Sequence, residues 1–515
     1  MQARRTRRLA SLAATAAAAL VLASCSGGGD EQNASSTGNP DPSIPITYAW
    51  PATPGQWDPH KSANQNAEST YLYLVYDRLL YLETDDKLSP MLATAWKFSA
   101  DGLTLDLTIR EGVKFHDGQM LDATAVVTNL ERARTETTTA AQLSVVESVS
   151  APDAKTVQIK LKQPKYGLLY TLASPTGSII SPAAINDPSL AQKPVGAGPY
   201  TLKSVDSITA TFERFPDYWD KDFVGSDVKM VSGVRDAEAT INGLRTGEID
   251  AALWKLDQLP SVEEMVASGE FVDARYDSKA QSILYINTKG VLANEQARLG
   301  INLAIDRDAI NKAAMQGGCP PVSQAFNDGI PGSNPSLAPY GFDPARARQL
   351  LSAAGVTRLT LLQMSLEPQA TIAQIVQQQL KDVGVEVDLV PVDSDNSRPT
   401  WRQGKADLWM HNISLPSPDA ESLINLVYTG GENLGTIPPE LAKAADEVRL
   451  SPVDSPEREA ALSRLDQYVY DHPVHAPICA LQGLVVARKG VQHVDDLNNM
   501  RSGTTPDIRH LIAVN

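Results

Sequence analysis

The sequence predicts a mixed α/β fold with α+β elements, and three features carry that prediction. The first is strand periodicity. Leu103, Leu105, Leu107 and Ile109 alternate with Thr104, Asp106, Thr108 and Arg110. Period two marks a strand with one buried face. Val157, Ile159 and Leu161 alternate with Gln158, Lys160 and Lys162 in the same way. The second is helix punctuation. Asp343-Pro344 places a capping acceptor before a proline at the first helical position, where the missing N–H costs nothing. Leu350 and Leu351 fall in the helix body, and Gly355 stands where a C-terminal stop belongs. Asp306 is placed to cap a second helix through Ile310 and Ala314. The third is order: strands and helices intermingle along 515 residues without a simple repeat. That length predicts two or three domains, and the mixture predicts parallel or mixed sheets.

From the start of the chain, Arg4, Arg5, Arg7 and Arg8 precede an apolar run from Leu9 to Ala23. The run is short of the roughly 20 apolar residues that span a bilayer and fits the core of a secretory leader. Leu22-Ala23-Ser24-Cys25 resembles the lipobox of bacterial lipoproteins. The resemblance implies cleavage before Cys25, acylation of its thiol and anchoring by two or three acyl (palmitate-type) chains. Residues 1–24 would be the signal peptide. Residues 25–45, rich in Ser, Gly, Asn and Asp, would be a tether with a reach of roughly 25 Å.

Losing four arginines with the leader moves the formal charge from −16 to −20. So acidic a body makes a poor partner for nucleic acid, which is bound by neutralising phosphates. It is also repelled by anionic lipid, so an acyl anchor would have to hold it at the membrane. After Cys25 only Cys319 and Cys479 remain. In an exported protein the two fit either a disulfide or two separate buried thiols.

A series of segments extends the argument. Pro90-Met91-Leu92-Ala93-Thr94-Ala95-Trp96 is followed by Ser99-Ala100-Asp101-Gly102-Leu103-Thr104 and by the block Ile109-Arg110-Glu111-Gly112-Val113-Lys114-Phe115-His116-Asp117-Gly118. Further on come Gly196-Ala197-Gly198-Pro199-Tyr200, Pro216-Asp217-Tyr218-Trp219, Gly247-Glu248-Ile249-Asp250, Ala304-Ile305-Asp306-Arg307 and Phe342-Asp343-Pro344. In this order the set resembles the family 5 extracellular solute-binding proteins of ABC importers, the oligopeptide, dipeptide and nickel group. The resemblance implies a two-lobed periplasmic-binding-protein-like fold with an extra subdomain in the first lobe. Carried onto this chain, 46–76, 195–286 and 483–515 form the first lobe, 77–194 the subdomain and 287–482 the second lobe. It further implies a monomer that binds a peptide or other small polar solute in the cleft and works with ABC permease subunits and their ATPases. The alternative on the same scaffold is a non-transport envelope lipoprotein that regulates or scaffolds.

Catalytic chemistry is not predicted. There is no Gly-x-Ser-x-Gly and no His-Glu-x-x-His. His116-Asp117 reads as a structural turn, and Pro473 separates His472 from His475, against a metal site. Gly196-Ala197-Gly198 lacks the third glycine of a dinucleotide loop. No cofactor, metal or catalytic residue is expected, and the chain is expected not to be an enzyme.

Candidate ligand-binding residues follow from the resemblance. The segment from Ala406 to Asp419 would line the cleft, where peptide-binding relatives carry an aspartate that pairs with the ligand's α-ammonium. Here that position is Pro416, which carries no charge, while Asp407 and Asp419 fit the outer positions. His411, Asn412 and Ser414 offer neutral donors and acceptors suited to hydroxyls or amides. Trp254, Trp401 and Trp409 are candidate walls. Asn287 and Tyr285 begin the passage into the second lobe, and Trp57, in Trp57-Asp58-Pro59, is placed near the cleft in the first.

Overall fold

The computed structural model describes residues 38–51, 55–62, 65–83, 87–232, 237–254, 259–324, 326, 332–338, 340–414, 420–495, 497 and 507–515. Its largest sheet has ten strands. From one edge the order is Glu386–Val392, Arg358–Met364, Leu408–Ser414, Phe271–Ile286, His475–Arg488, Ala251–Trp254, Ile46–Trp50, Val228–Ser232, Thr209–Arg214 and Tyr200–Val205. Pairing is mixed: Ile46–Trp50 runs parallel to both neighbours, and Phe271–Ile286 antiparallel to both of its own.

Two long strands pass between separate cores. In Phe271–Ile286, Ala274 packs with Tyr48, Tyr71 and Phe212, whereas Leu284 and Ile286 pack with Ile301, Leu361 and Val376. In His475–Arg488, Val485 and Ala487 join the first core and Ala476 and Ile478 the second. The register between these strands shifts between Asp277 and Ala280, opposite Leu481 and Gln482. Before the shift the first strand pairs only with 482–488; after it, also with 408–414. The chain therefore crosses from one core to the other at this point.

A third core belongs to residues 79–197. It covers a four-stranded antiparallel sheet, ordered Ala93–Phe98, Thr104–Ile109, Thr156–Leu161, Val146–Ser150. In the second of these, Leu105, Leu107 and Ile109 are buried and Asp106 and Thr108 exposed, as period two requires. Leu103 departs from that expectation: it lies before the strand, 36% exposed. The Asp101-Gly102 turn consumes it, because Leu103 N donates to Asp101 Oδ1 at 3.1 Å and Gly102 sits at φ +70°. Ile180, Ile185 and Leu190 fall within 77–194, yet they pack into the first core and not this one.

Helix starts follow side-chain chemistry. Asp343 accepts from Arg346 N at 2.9 Å ahead of helix Pro344–Ala353, and Gly355 follows at φ +73°. Asp306 accepts from Ala309 N at 2.9 Å ahead of Arg307–Ala314. The His116-Asp117 turn docks on the glycine segment. Gly196 N donates to His116 Nδ1 at 3.4 Å, His116 Nε2 meets Gly198 O at 2.9 Å, and the Ser181 hydroxyl donates to Asp117 Oδ2 at 2.5 Å. A Cβ on Gly196 or Gly198 would meet the Val75 backbone at 2.2 or 2.6 Å, so these glycines permit close chain packing. The C-terminal segment is fastened by buried charges: Arg509 donates to Asp77 Oδ1 at 3.0 Å and to Asp507 Oδ1 at 2.9 Å.

Candidate functional site

Strand register builds the centre of the site. Tyr285 lies opposite Trp409 and Ile283 opposite His411. Residues 409 and 411 share a face because successive side chains alternate. The rings form a ladder: Tyr285 and Trp409 have centroids 4.8 Å apart, and Trp409 and His411 4.2 Å with 16° between planes. Trp401 adds a third contact, 5.7 Å from Trp409. Trp401 and Trp409 are fully enclosed and Tyr285 nearly so. They form the core beneath the site, with His411, half-buried, at its edge.

Helix Ser394–Arg402 places charge on this ladder. Asp393 caps it by accepting from Asn396 N at 2.9 Å. The Trp401 indole N–H donates to Glu432 O at 3.0 Å, which draws Glu432 against the helix. Arg398 and Arg402, one turn apart, then reach the same carboxylate oxygen. Arg398 Nη1 donates to Glu432 Oε1, and Arg402 Nη2 donates to it at 2.9 Å. The Glu432 side chain is completely buried, while Arg398 is 35% and Arg402 49% exposed. A Cβ on Gly431 would meet Arg402 Nε at 3.3 Å, so its absence eases this approach.

His411 is neutral. Burial, then the Arg398 charge, lowers its pKa to about 3. Arg398 Nη2 lies 3.4 Å from His411 Nε2. Arginine has only donors, so Nε2 accepts and the proton sits on Nδ1. Among the described residues, that Nδ1, Trp409 Nε1, Tyr285 Oη and Glu432 Oε2 are buried without hydrogen-bond partners. Such atoms cost about 1–3 kcal/mol each when left unmet.

The remaining sequence candidates are dispersed. Asn412 falls on the opposite face of its strand from His411, the face of Met410, and its Oδ1 is buried without a partner. Ser414 ends that strand opposite Ala280, and its side chain is outside the described residues. Asn287 donates through Nδ2 to Ala406 O at 3.2 Å. Asp407 is engaged by Thr360 N and its hydroxyl, both at 2.8 Å. Trp57 is buried in the first core, its ring 4.9 Å from that of Tyr71. Trp254 is buried in a neighbouring core with Val262 and Leu484, its Nε1 without a partner. Cys25, Pro416 and Asp419 lie outside the described residues. The sulfurs of Cys319 and Cys479 are joined, with Cα atoms 5.3 Å apart. Beside them a 610 Å³ pocket is lined by Arg307, Pro320, Val322, Tyr340, Ala480 and Gln482, among others, against the crossing point.

Arg398, Arg402 and Glu432 were not among the residues expected from sequence. The two arginines at i and i+4 around a tryptophan offered a local signal. Glu432, more than thirty residues on, offered none.

Among the described residues no helix is long and apolar enough to cross a membrane. Residues 87–435 match the family described as bacterial extracellular solute-binding proteins, family 5 Middle. The glutathione-binding protein GsiB of Pectobacterium atrosepticum is 31% identical over 350 residues, 65% of this chain and 67% of that protein. The GsiB of Salmonella typhimurium is 30% identical over 393 residues, 72% of each. Among solved structures, NikA from Brucella suis in complex with Fe(III)-EDTA superposes with a TM-score of 0.81 at 22% identity, over 91% of this chain and all of that one. DppA from Helicobacter pylori in complex with the peptide STSA gives 0.75 at 21%, over 92% and 98%. These neighbours have the two-lobed fold built here around two crossing strands. With a family match over most of its length and relatives at 30% identity, the chain belongs to the bacterial extracellular solute-binding proteins, family 5.

Proposed function

We propose that this protein captures a small peptide-like solute between its lobes, outside the cytoplasm, and delivers it to an ABC importer while tethered to the membrane through acylated Cys25. The observation that carries the reading is the crossing at Asp277–Ala280 and Leu481–Gln482, where two strands leave one core and enter another. A pair of crossing strands lets the lobes hinge. Ligand contacts to both lobes then favour the closed form. The lobe assignments belong to the same reading, with the boundary at the crossing: 46–76 with 195–277 and 482–515 against 280–481, and 77–194 as an appended subdomain; the boundary expected from sequence, between 286 and 287, falls after Leu284 and Ile286, which pack in the second core. The account of the chain as a monomeric binder and not an enzyme belongs to it too. The GsiB relatives are named for glutathione and the DppA neighbour holds a peptide, which supports peptide-like cargo.

A thermal-shift panel tests this. The mature protein is heated with glutathione, free and N-acetylated di- to pentapeptides, and oligosaccharides. A ligand at a hundred times its Kd adds about 2.7 kcal/mol, so a peptide-like member should raise Tm by several degrees. Pro416 in place of an acid predicts that acetylation costs little affinity. A panel with no shift would favour the scaffold alternative, and a shift by oligosaccharides alone would redirect the ligand class.

A further inference from the structure

We propose that the pocket beside the Cys319–Cys479 bridge is a binding site in its own right, and that it takes a small organic cation with an apolar body. The inference goes beyond solute capture and does not depend on it.

Three observations carry it. The first is position. Along one edge of strand His475–Arg488, residues 484–487 pair with Ala251–Trp254. Nearer the start of the strand the same role passes to another segment. Pro321 bridges Cys479, Ala480 N donates to Pro320 O at 2.8 Å and Val322 N to Ile478 O at 3.2 Å. The pocket lies where one pairing gives way to the other, with Ala480 and Gln482 in its wall. Gln482 pairs with Asp277, the last pair before the register shift. A molecule lodged there touches the second core and the strand that leaves it, and so braces the crossing. Segment 320–322 stands three strand spacings, about 14 Å, from strand Leu408–Ser414. The pocket is therefore separate from the aromatic ladder.

The second is charge. Asp306, Arg307 and Asp308 all line the wall. Arg307 is buried and spends its donors on nearby oxygens. Nε donates to Pro477 O at 2.7 Å, Nη1 to Asn302 O at 3.2 Å and Nη2 to Asn302 Oδ1 at 3.0 Å. Asp306 commits Oδ1 to Ala309 N. Asp308 is exposed and has no side-chain hydrogen bond or ion pair among the described residues. Two carboxylates against one guanidinium leave the wall one negative charge in excess. A chain with a formal charge of −16 also draws cations at long range.

The third is an unmet hydroxyl in an apolar setting. Ser323 is 6% exposed and lines the pocket, and its side chain has no hydrogen-bond partner among the described residues. A buried hydroxyl without a partner costs free energy that a bound donor recovers. Ile305, Val322, Phe326 and Phe342 supply apolar wall around it, and an aromatic face attracts a cation. Among the described residues no group of three or more metal-ligating side chains exists, so the cation that fits is organic. A volume of 610 Å³ is that of a small-molecule site.

The test exposes the full mature chain to three probes of one shape: 2-phenylethylamine, 2-phenylethanol and 3-phenylpropanoate. Binding is read by calorimetry and by ligand-observed NMR, and its place by hydrogen exchange. The amine should bind about threefold or more tighter than the alcohol, and the acid should not be retained. Amide protection by the amine should fall on 306–309, 320–323 and 480–482 and not on 408–414. Joint Asp306→Asn and Asp308→Asn removes both charges while Asn still caps the helix; the amine should then bind no better than the alcohol. Ser323→Ala should weaken both amine and alcohol, with circular dichroism confirming the fold of each variant. No retention of the amine at millimolar concentration would overturn the inference. So would equal binding of all three probes, protection centred on 408–414, or a preference for the amine that survives in the folded double variant. Each of these results leaves solute capture standing, because the solute is sought independently.

Discussion

Arg402 reaches the buried carboxylate of Glu432 at 2.9 Å, on the oxygen that Arg398 also holds. The acid is the single anchor of two cations, so the three residues are not equivalent. Removing Arg402 leaves Glu432 with Arg398. Removing the acid leaves two guanidinium groups and disturbs the packing beside Trp401. Glu432→Gln is therefore expected to cost about 1–3 kcal/mol and Arg402→Ala less than about 1 kcal/mol. Urea unfolding of both variants checks the order. The reverse order would mean that Glu432 is not the anchor.

His60 gives the stability a defined pH dependence. Its side chain is fully buried; Nε2 lies 3.2 Å from Ser178 O, and Arg132 Nη1 lies 3.1 Å from Nδ1. The ring thus donates from Nε2 and accepts at Nδ1, which requires the neutral form. Burial, then the charge of Arg132, lowers its pKa to about 4, against about 6.5 in the unfolded chain. Between these values the unfolded state binds more protons, so stability rises with pH. The contribution is complete above about 6.5 and is lost progressively as pH falls toward about 4. His60→Gln keeps one donor and one acceptor and should flatten the decline by on the order of 1–2 kcal/mol at pH 5. Denaturant unfolding at pH 5 and 7.5 measures the difference, and an unchanged slope would refute the assignment.

Much of the architecture was legible because its signals are local. Asp343, Pro344 and Gly355 mark a helix by capping chemistry that needs no partner elsewhere. Leu105, Leu107 and Ile109 mark a strand face by spacing alone. Leu103 departs from the pattern because the same alternation extends into a turn, where its carbonyl still accepts from Leu161 N but its side chain is exposed. The candidate site was less legible. His411 and Asn412 adjoin in sequence but face opposite sides of one strand. The pairing of Glu432 with Arg398 arises only when a helix and a distant loop pack on Trp401, and sequence spacing does not encode that.

The Cys319–Cys479 bridge joins the segment after helix Arg307–Ala314 to a crossing strand, closing a loop of 160 residues. In the exported protein, where the Cys25 thiol is taken up by the lipid anchor, we expect no alkylatable thiol under non-reducing conditions. Replacing the pair with serine should cost about 2–5 kcal/mol in the chain-entropy account. Intact-mass analysis after alkylation decides the first point, and two added alkyl groups on this pair would exclude the bridge.

Membrane attachment is expected to depend on Cys25, the acylation position of the lipobox-like segment. Cys25→Ala should shift the protein to the soluble fraction or leave an uncleaved precursor. Metabolic labelling with a fatty acid reads the outcome. Label retained by the variant would place the anchor elsewhere or remove it from the account.

Solute capture is tested most directly by native mass spectrometry of the protein purified from its own host without unfolding. The account predicts a population heavier than the bare chain by the mass of one small solute. Denaturation should release a small peptide-like solute, and its re-addition should reduce the radius of gyration in solution scattering. A bare mass from the host, unchanged after incubation with host extract and with the peptide panel, would contradict solute capture.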